Sequence, residues 1–161
     1  MRIFLWAALV FPVTALAVDL QDDIFEPILE IDLRQDSSSA AEQNKQLMIM
    51  FTKKGCAPCA QMKAETLADG EVRNFISKNM LAYHVDIYGD LPILDADNNT
   101  WTEKTYAKKE GIWGTPAFYY FNKDGRRIYK HVGFMSKQQF IETGEKVMHT
   151  DSGRSHLANA E

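Results

Sequence analysis

Leu47-Met48-Ile49-Met50-Phe51 is an unbroken apolar run, and it leads through Thr52-Lys53-Lys54-Gly55 directly into Cys56-Ala57-Pro58-Cys59. The run has the length of a central strand covered on both faces. From Ala57 to Ala68 the residues are mostly helix formers, so the cysteine pair opens a predicted helix at the end of a buried strand. Few folds place two cysteines there. The 161 residues suit one domain and suffice for a real core, so stapling disulfides are not required. Two cysteines could not build a disulfide framework in any case. Apolar and charged fractions of 45% and 25% are those of a globular chain.

The rest of the chain alternates helices and strands. Leu33 to Gln46 reads as a surface helix, about Glu71 to Lys78 as a helix, and Met80 to Ile87 as a strand. Residues 88–102 read as a loop, with Gly89, Pro92 and Asp97-Asn98-Asn99 as turn signals. Glu103 to Glu110 is a short helix, and Ala117 to Phe121 a strand. Asn122-Lys123-Asp124-Gly125 is a hairpin signal, with Ile128 to Val132 pairing back. Ser136 to His149 is the last helix, opened by a Ser136/Gln139 capping box. Phe140, Ile141, Gly144, Val147 and Met148 mark its buried face. Strands joined through helices require a parallel portion, and the hairpin adds an antiparallel one, giving an α/β fold with a mixed sheet.

Residues 1–17 read as an export signal. Arg2 supplies the positive start, Ile3 to Leu16 is almost wholly apolar, and Ala15-Leu16-Ala17 has the small-x-small form of a cleavage site. The run is short for a membrane span and Pro12 interrupts it, so no tight membrane association is expected after cleavage. Residues 18–44 form an acidic lead-in and the first helix. Over residues 18–36, Asp19, Asp22, Asp23, Glu26, Glu30, Asp32 and Asp36 stand against Arg34 alone. The compact domain is expected over 45–149 and a polar, flexible tail over 150–161. The net charge of −4, held mostly in the lead-in, argues against a nucleic-acid partner. An exported pair of close cysteines is either a disulfide or a redox centre.

A thiolate at Cys56 meets the free N–H groups and partial positive charge of a helix start, which lowers its pKa below the ordinary value of roughly 8.5. Lys53 and Lys54 reinforce this where they face the sulfur. Pro58 suits a first helical turn, and Ala57 completes the intervening dipeptide. Three readings of the pair compete. A redox dithiol uses Cys56 to attack and Cys59 to resolve. A structural disulfide gains little from so short a loop. A zinc site lacks a second cysteine pair and an H-x₃₋₅-H pattern, so no metal is expected. The placement between strand and helix favours the redox reading.

Gly111-Ile112-Trp113-Gly114-Thr115-Pro116 adds a second element, and with it the chain resembles the thioredoxin superfamily. The resemblance spans about residues 45–148, through Asn122-Lys123-Asp124-Gly125 and on to Val132-Gly133-Phe134 and Phe140. It implies a thioredoxin fold: a central mixed sheet flanked by helices on both faces. It implies that Pro116 is cis beside Cys56, that the Thr115 backbone binds an incoming peptide, and that Gly133 belongs to a third peptide-facing segment. Trp113 offers a flat apolar contact or packs the loop. No organic cofactor is implied. Asp69-Gly70-Glu71-Val72 and Val85-Asp86 are similar to exported members, those of sulfur-oxidation clusters and the C-terminal domain of the transmembrane thiol reductant carrier. The resemblance implies a periplasmic thiol–disulfide oxidoreductase, leaning to reductase because Ala57-Pro58 is similar to a reductant's Gly-Pro. Its partners would be exported proteins with thiols or disulfides and a membrane thiol donor. The alternative is a binding module or chaperone-like adaptor on the same fold.

Three departures stand out. Met50 replaces the family's buried aspartate, which leaves the proton path from Cys59 unassigned. Gly55 replaces a tryptophan, and residues 88–102 are an insertion. Asp95-x-Asp97-x-Asn99 does not continue as a calcium loop, having Thr100 at the sixth position and Tyr106 at the twelfth. His84 and His131 fall in predicted strands and read as packing or surface residues. Lys123, Arg126, Arg127 and Lys130 read as a solvated hairpin.

Overall fold

The computed structural model describes residues 24–158. The export signal at 1–17 and the start of the acidic lead-in lie outside the described residues. The elements run β1 (Ile31–Asp32), α1 (Leu33–Glu42), β2 (Gln46–Thr52), α2 (Ala57–Gln61), α3 (Gly70–Asn79), β3 (Met80–Asp86), β4 (Pro92–Leu94), β5 (Thr100–Thr102), α4 (Glu103–Lys109), β6 (Ala117–Phe121), β7 (Arg127–Val132) and α5 (Lys137–Ala158). Between α2 and α3 the helix continues as a π-helical segment, Met62–Leu67.

The main sheet has the order β3-β2-β6-β7. Strand β2 pairs parallel with β3 and antiparallel with β6, and β6 pairs antiparallel with β7. Every residue of β2 is buried, because helices cover both faces. Side chains alternate across a strand, so β2 divides its apolar residues between two cores. Met48 and Met50 join Phe118 and Tyr120 of β6 beneath α2, α3 and α5. Leu47, Ile49 and Phe51 join Ala117, Tyr119 and Phe121 on the opposite face, with Tyr106 of α4 and Leu33 and Ala40 of α1. The expected mixed sheet with helices on both faces is the observed architecture.

Several boundaries differ from the sequence reading. The first helix stops at Glu42 rather than Gln46, since Asn44 takes a left-handed φ of 57° and Gln46 enters the strand. That helix is also less superficial than its composition suggests, burying Leu33, Ser37 and Ala40 on one side. Residues 88–102 are not merely a loop. Strands β4 and β5 pair antiparallel there, and β4 pairs parallel with β1 from the lead-in, making a second, three-stranded sheet. The last helix continues to Ala158, where a tail was expected from residue 150. No proline follows Pro116 to stop it, and Gly153 alone costs only about 1 kcal/mol.

The hairpin between β6 and β7 forms as its residues require. Asn122 Oδ1 accepts from the N–H groups of Asp124 and Arg126, at 3.2 and 2.9 Å. Gly125 turns with φ of 75°, and a Cβ there would lie 2.6 Å from the Leu33 backbone. The hairpin tip therefore seats on the start of α1. Ser136 and Gln139 exchange the two expected capping hydrogen bonds, at 3.0 and 3.3 Å.

Candidate redox site

Strand β2 ends at Thr52, and Gly55 makes the turn into α2 with a φ of 73° in open space. Glycine takes that conformation without strain. Cys56 then caps α2, with Pro58 in the first turn as the sequence predicts. The two cysteines form a disulfide with their Cα atoms 5.2 Å apart. Cys56 and Cys59 keep 9% and 5% of their surface, so the pair is reached from one side. Lys53, Lys54, Gly55, Ala57 and Pro58 form an exposed rim around it.

Two donors converge on the Cys56 sulfur. The Cys59 backbone N–H donates from 3.2 Å and the Thr115 hydroxyl from 3.2 Å. The Thr115 carbonyl oxygen lies 3.5 Å from the same sulfur. A disulfide sulfur uses such donors weakly, whereas a thiolate uses them strongly. The arrangement is therefore suited to the reduced, charged form of Cys56. Sequence reasoning assigned Thr115 a backbone role toward substrate and missed the hydroxyl. Threonine in front of Pro116 is a signal only once the loop is known to return to Cys56.

The Thr115–Pro116 peptide bond is cis, and Pro116 is buried. Gly133 has a φ of 108°, and its N–H donates to the Pro116 carbonyl at 2.8 Å. That donor is spent within the protein, so a bound peptide would not use it. Below this loop, the π-helical segment turns Met62 and Thr66 inward. The Thr66 hydroxyl donates to the Met135 carbonyl at 2.6 Å, and the Met135 N–H points at the Met62 sulfur at 3.5 Å. The segment after β7 is thereby fixed to the helix that carries the cysteines.

Trp113 is 80% exposed, which removes the loop-packing reading. It lines a separate hollow of about 350 Å³ with Tyr88, Ile112, Lys104 and Lys108, and is not in the cavity around the disulfide. That cavity holds about 580 Å³. Besides the cysteines and the lysine rim it is lined by Thr52, Lys63, His84 and Asp86. Sequence reasoning left His84 as a packing or surface residue, because its neighbour across the sheet was not known. Met50, at the position of the family's aspartate, is fully buried.

One carboxylate ties the turn between β4 and β5 to α4. Asp95 accepts from the Asn99 N–H (2.9 Å), the Trp101 indole N–H (2.8 Å) and the Lys109 ammonium (2.9 Å). Burial opposes its charge, but the ammonium, the Asn99 N–H and the indole outweigh it and hold the carboxyl well below its ordinary range. Asp95 is committed to this turn and to Lys109 of α4. Among the described residues no group of three or more His, Cys, Asp or Glu side chains is arranged to hold a metal ion.

A family model described as a thioredoxin-like domain matches residues 33–148. No curated protein matches the chain. Among solved structures, a thioredoxin-fold protein from Helicobacter pylori is 22% identical, with 81% of this chain and 80% of that one covered and a TM-score of 0.64. A thioredoxin from Thermus thermophilus is 16% identical, with 83% and 98% covered and a TM-score of 0.58. The C-terminal domain of Neisseria meningitidis DsbD in its oxidised form is 22% identical, with 74% and 98% covered and a TM-score of 0.53. At these identities the likenesses speak to the fold.

Proposed function

The chain belongs to the thioredoxin-like domain family, and from that premise we propose that it is a periplasmic thiol–disulfide oxidoreductase that reduces exported client proteins. The observation that carries this reading is the Cys56 sulfur, which caps a helix and receives both the Cys59 N–H and the Thr115 hydroxyl. That is an environment for a thiolate nucleophile. The DsbD domain and the thioredoxin named among the similar structures support the same chemistry.

In the dithiol form, the Cys56 thiolate attacks a client disulfide. One client sulfur leaves as a thiolate and the other becomes bonded to Cys56. Cys59, having lost its proton, then attacks the Cys56 sulfur. The Cys56–Cys59 disulfide forms, the second client thiolate departs, and two electrons have passed to the client. A dithiol donor in the membrane restores the pair, so no organic cofactor enters. Thr115 and Pro116 orient the client backbone, while the Lys53 and Lys54 rim favours the anionic sulfur. Export through residues 1–17 delivers the domain, and the Ala57-Pro58 dipeptide supports the reductant direction.

Insulin disulfide reduction tests the reading. The wild-type protein should turn over with a dithiol donor, and Cys56→Ser should lose all turnover. Cys59→Ser should accumulate mixed disulfides with exported proteins. No wild-type turnover, together with client binding that survives Cys56→Ser, would instead mark an adaptor. Thiol alkylation in cells decides direction, because a reductant is found mostly as the dithiol.

A further inference from the structure

The second step of the exchange needs Cys59 as a thiolate, and its proton must go somewhere. Cys59 is buried, and Met50 beneath it has no basic atom. Three polar side chains at the cysteine end of β2 and β3 share its side of the sheet. In the parallel pairing of β2 with β3, Met50 stands opposite His84 and Thr52 opposite Asp86. Paired residues point to the same face. That face belongs to the core containing Met50, Cys56 and Cys59. His84, Thr52 and Asp86 accordingly line the same cavity as Cys59.

From this juxtaposition we propose that His84, working through the Thr52 hydroxyl, accepts the proton of Cys59 in the resolving step. This rests on the oxidoreductase reading above. Thr52 Oγ1 and His84 Nε2 are 2.7 Å apart. With the imidazole neutral at Nε2, the hydroxyl donates to that nitrogen and keeps its lone pairs for water in the cavity. The proton leaves the Cys59 sulfur, enters that water, passes to Thr52 Oγ1, and the hydroxyl proton moves to Nε2. The Cys59 thiolate attacks the Cys56 sulfur, and the client sulfur departs with the electron pair of the broken bond. Imidazolium later returns its proton to solvent or to the departing thiolate. The cavity, at about 580 Å³, has room for the intervening water.

Other charged groups face this space. Lys53 and Lys54 come from the turn before α2, Lys63 from the π-helical segment, and Asp86 from β3. Ammonium groups have no lone pair to offer. A carboxylate in ordinary surroundings is a weak base near neutrality, whereas imidazole is the side chain that ordinarily titrates there. The lysines favour the thiolate once it forms. The Phe25 ring, 5.5 Å from the imidazole, covers it from the lead-in.

The dithiol protein reacted with a chromogenic aromatic disulfide, dithiobis(nitrobenzoate), separates the two steps. Attack by Cys56 releases one nitrothiobenzoate, and displacement by Cys59 releases the second. The wild-type second phase should rise with pH through the imidazole range, roughly 6.5, and level off. In His84→Gln the first phase should stay within about twofold, while the second slows about 10- to 100-fold at pH 7. Its profile should move up toward the ordinary thiol range, roughly 8.5. Free imidazole should restore the second phase of His84→Ala, and Asp86→Asn should leave it unchanged. Thr52→Val, which keeps the imidazole, should show the same upward displacement and stands in if His84→Gln does not fold. An unaltered second-phase profile in His84→Gln or Thr52→Val overturns the proposal. So does equal slowing of both phases, or an effect that follows Asp86 instead. Absence of both phases in the wild type would fail the oxidoreductase reading itself.

Discussion

Thr115 touches the sulfur that the chemistry needs charged, and it does so through a hydroxyl rather than through bulk. Replacing it with valine keeps the shape and removes one donor at 3.2 Å. A hydrogen bond to a charged group contributes about 1.5–3 kcal/mol, or roughly one pH unit or more of ionisation. Thr115→Val is therefore expected to raise the midpoint of the pH profile for alkylation of reduced Cys56 by about one unit, and to slow alkylation about tenfold on the acid side of that midpoint. An unshifted profile in a rate-against-pH series would mean that the hydroxyl serves packing alone. Gly55 presents a different constraint. It has free space around it but a positive φ, so Gly55→Ala should cost about 1 kcal/mol in a denaturant melt through backbone strain, with no steric clash.

Among the elements, the second sheet depends on Asp95. Asp95→Ala removes the acceptor of Asn99, Trp101 and Lys109 together and should cost about 2 kcal/mol, lowering Tm by about 5–10 °C in calorimetry. The sign with pH follows from its depressed carboxyl. The stabilisation is complete above the ordinary carboxylate range and is lost as pH falls below roughly 4 toward the folded-state value. The stability difference between wild type and Asp95→Ala should narrow over that acid window. A gap that stays constant there would contradict the assignment. This sheet was not legible in the sequence, for a physical reason. Its strands are two or three residues long, and β1 finds β4 across some sixty residues of chain. The elements that were legible are those specified locally. They include the apolar run Leu47–Phe51 of β2, the helix opened by Cys56, the Asn122–Gly125 hairpin and the Ser136/Gln139 cap. The π-helical segment lay between these cases, since Met62–Leu67 has ordinary helical composition. Its departure is visible only where Met62 and Thr66 meet Met135.

For the whole molecule, the sheet partitions the protein into two cores that share β2 and β6. The core opposite the disulfide is closed by β1 and α1, with Ile31 and Leu33 almost fully buried and Ala40 completely so. Burying Ile31 and Leu33 contributes about 1.5–3 kcal/mol each. A chain that begins at residue 45 should lose its cooperative melt and bind a hydrophobic dye, whereas one that begins at residue 24 should keep the transition; a cooperative melt in the shorter chain would show that α1 is dispensable. The disulfide-side core is rich in methionine. Met48, Met50, Met62 and Met135 all have no exposed surface. Thioethers are readily converted to sulfoxides by peroxides, and the change makes an apolar side chain polar. Around a sulfur centre that works by oxidation and reduction, these methionines are shielded from oxidants only as long as the fold stays shut. Their oxidation state in protein recovered from stressed cells would thus record how often this half of the molecule had opened, a history that the cysteines, cycling continually, cannot keep.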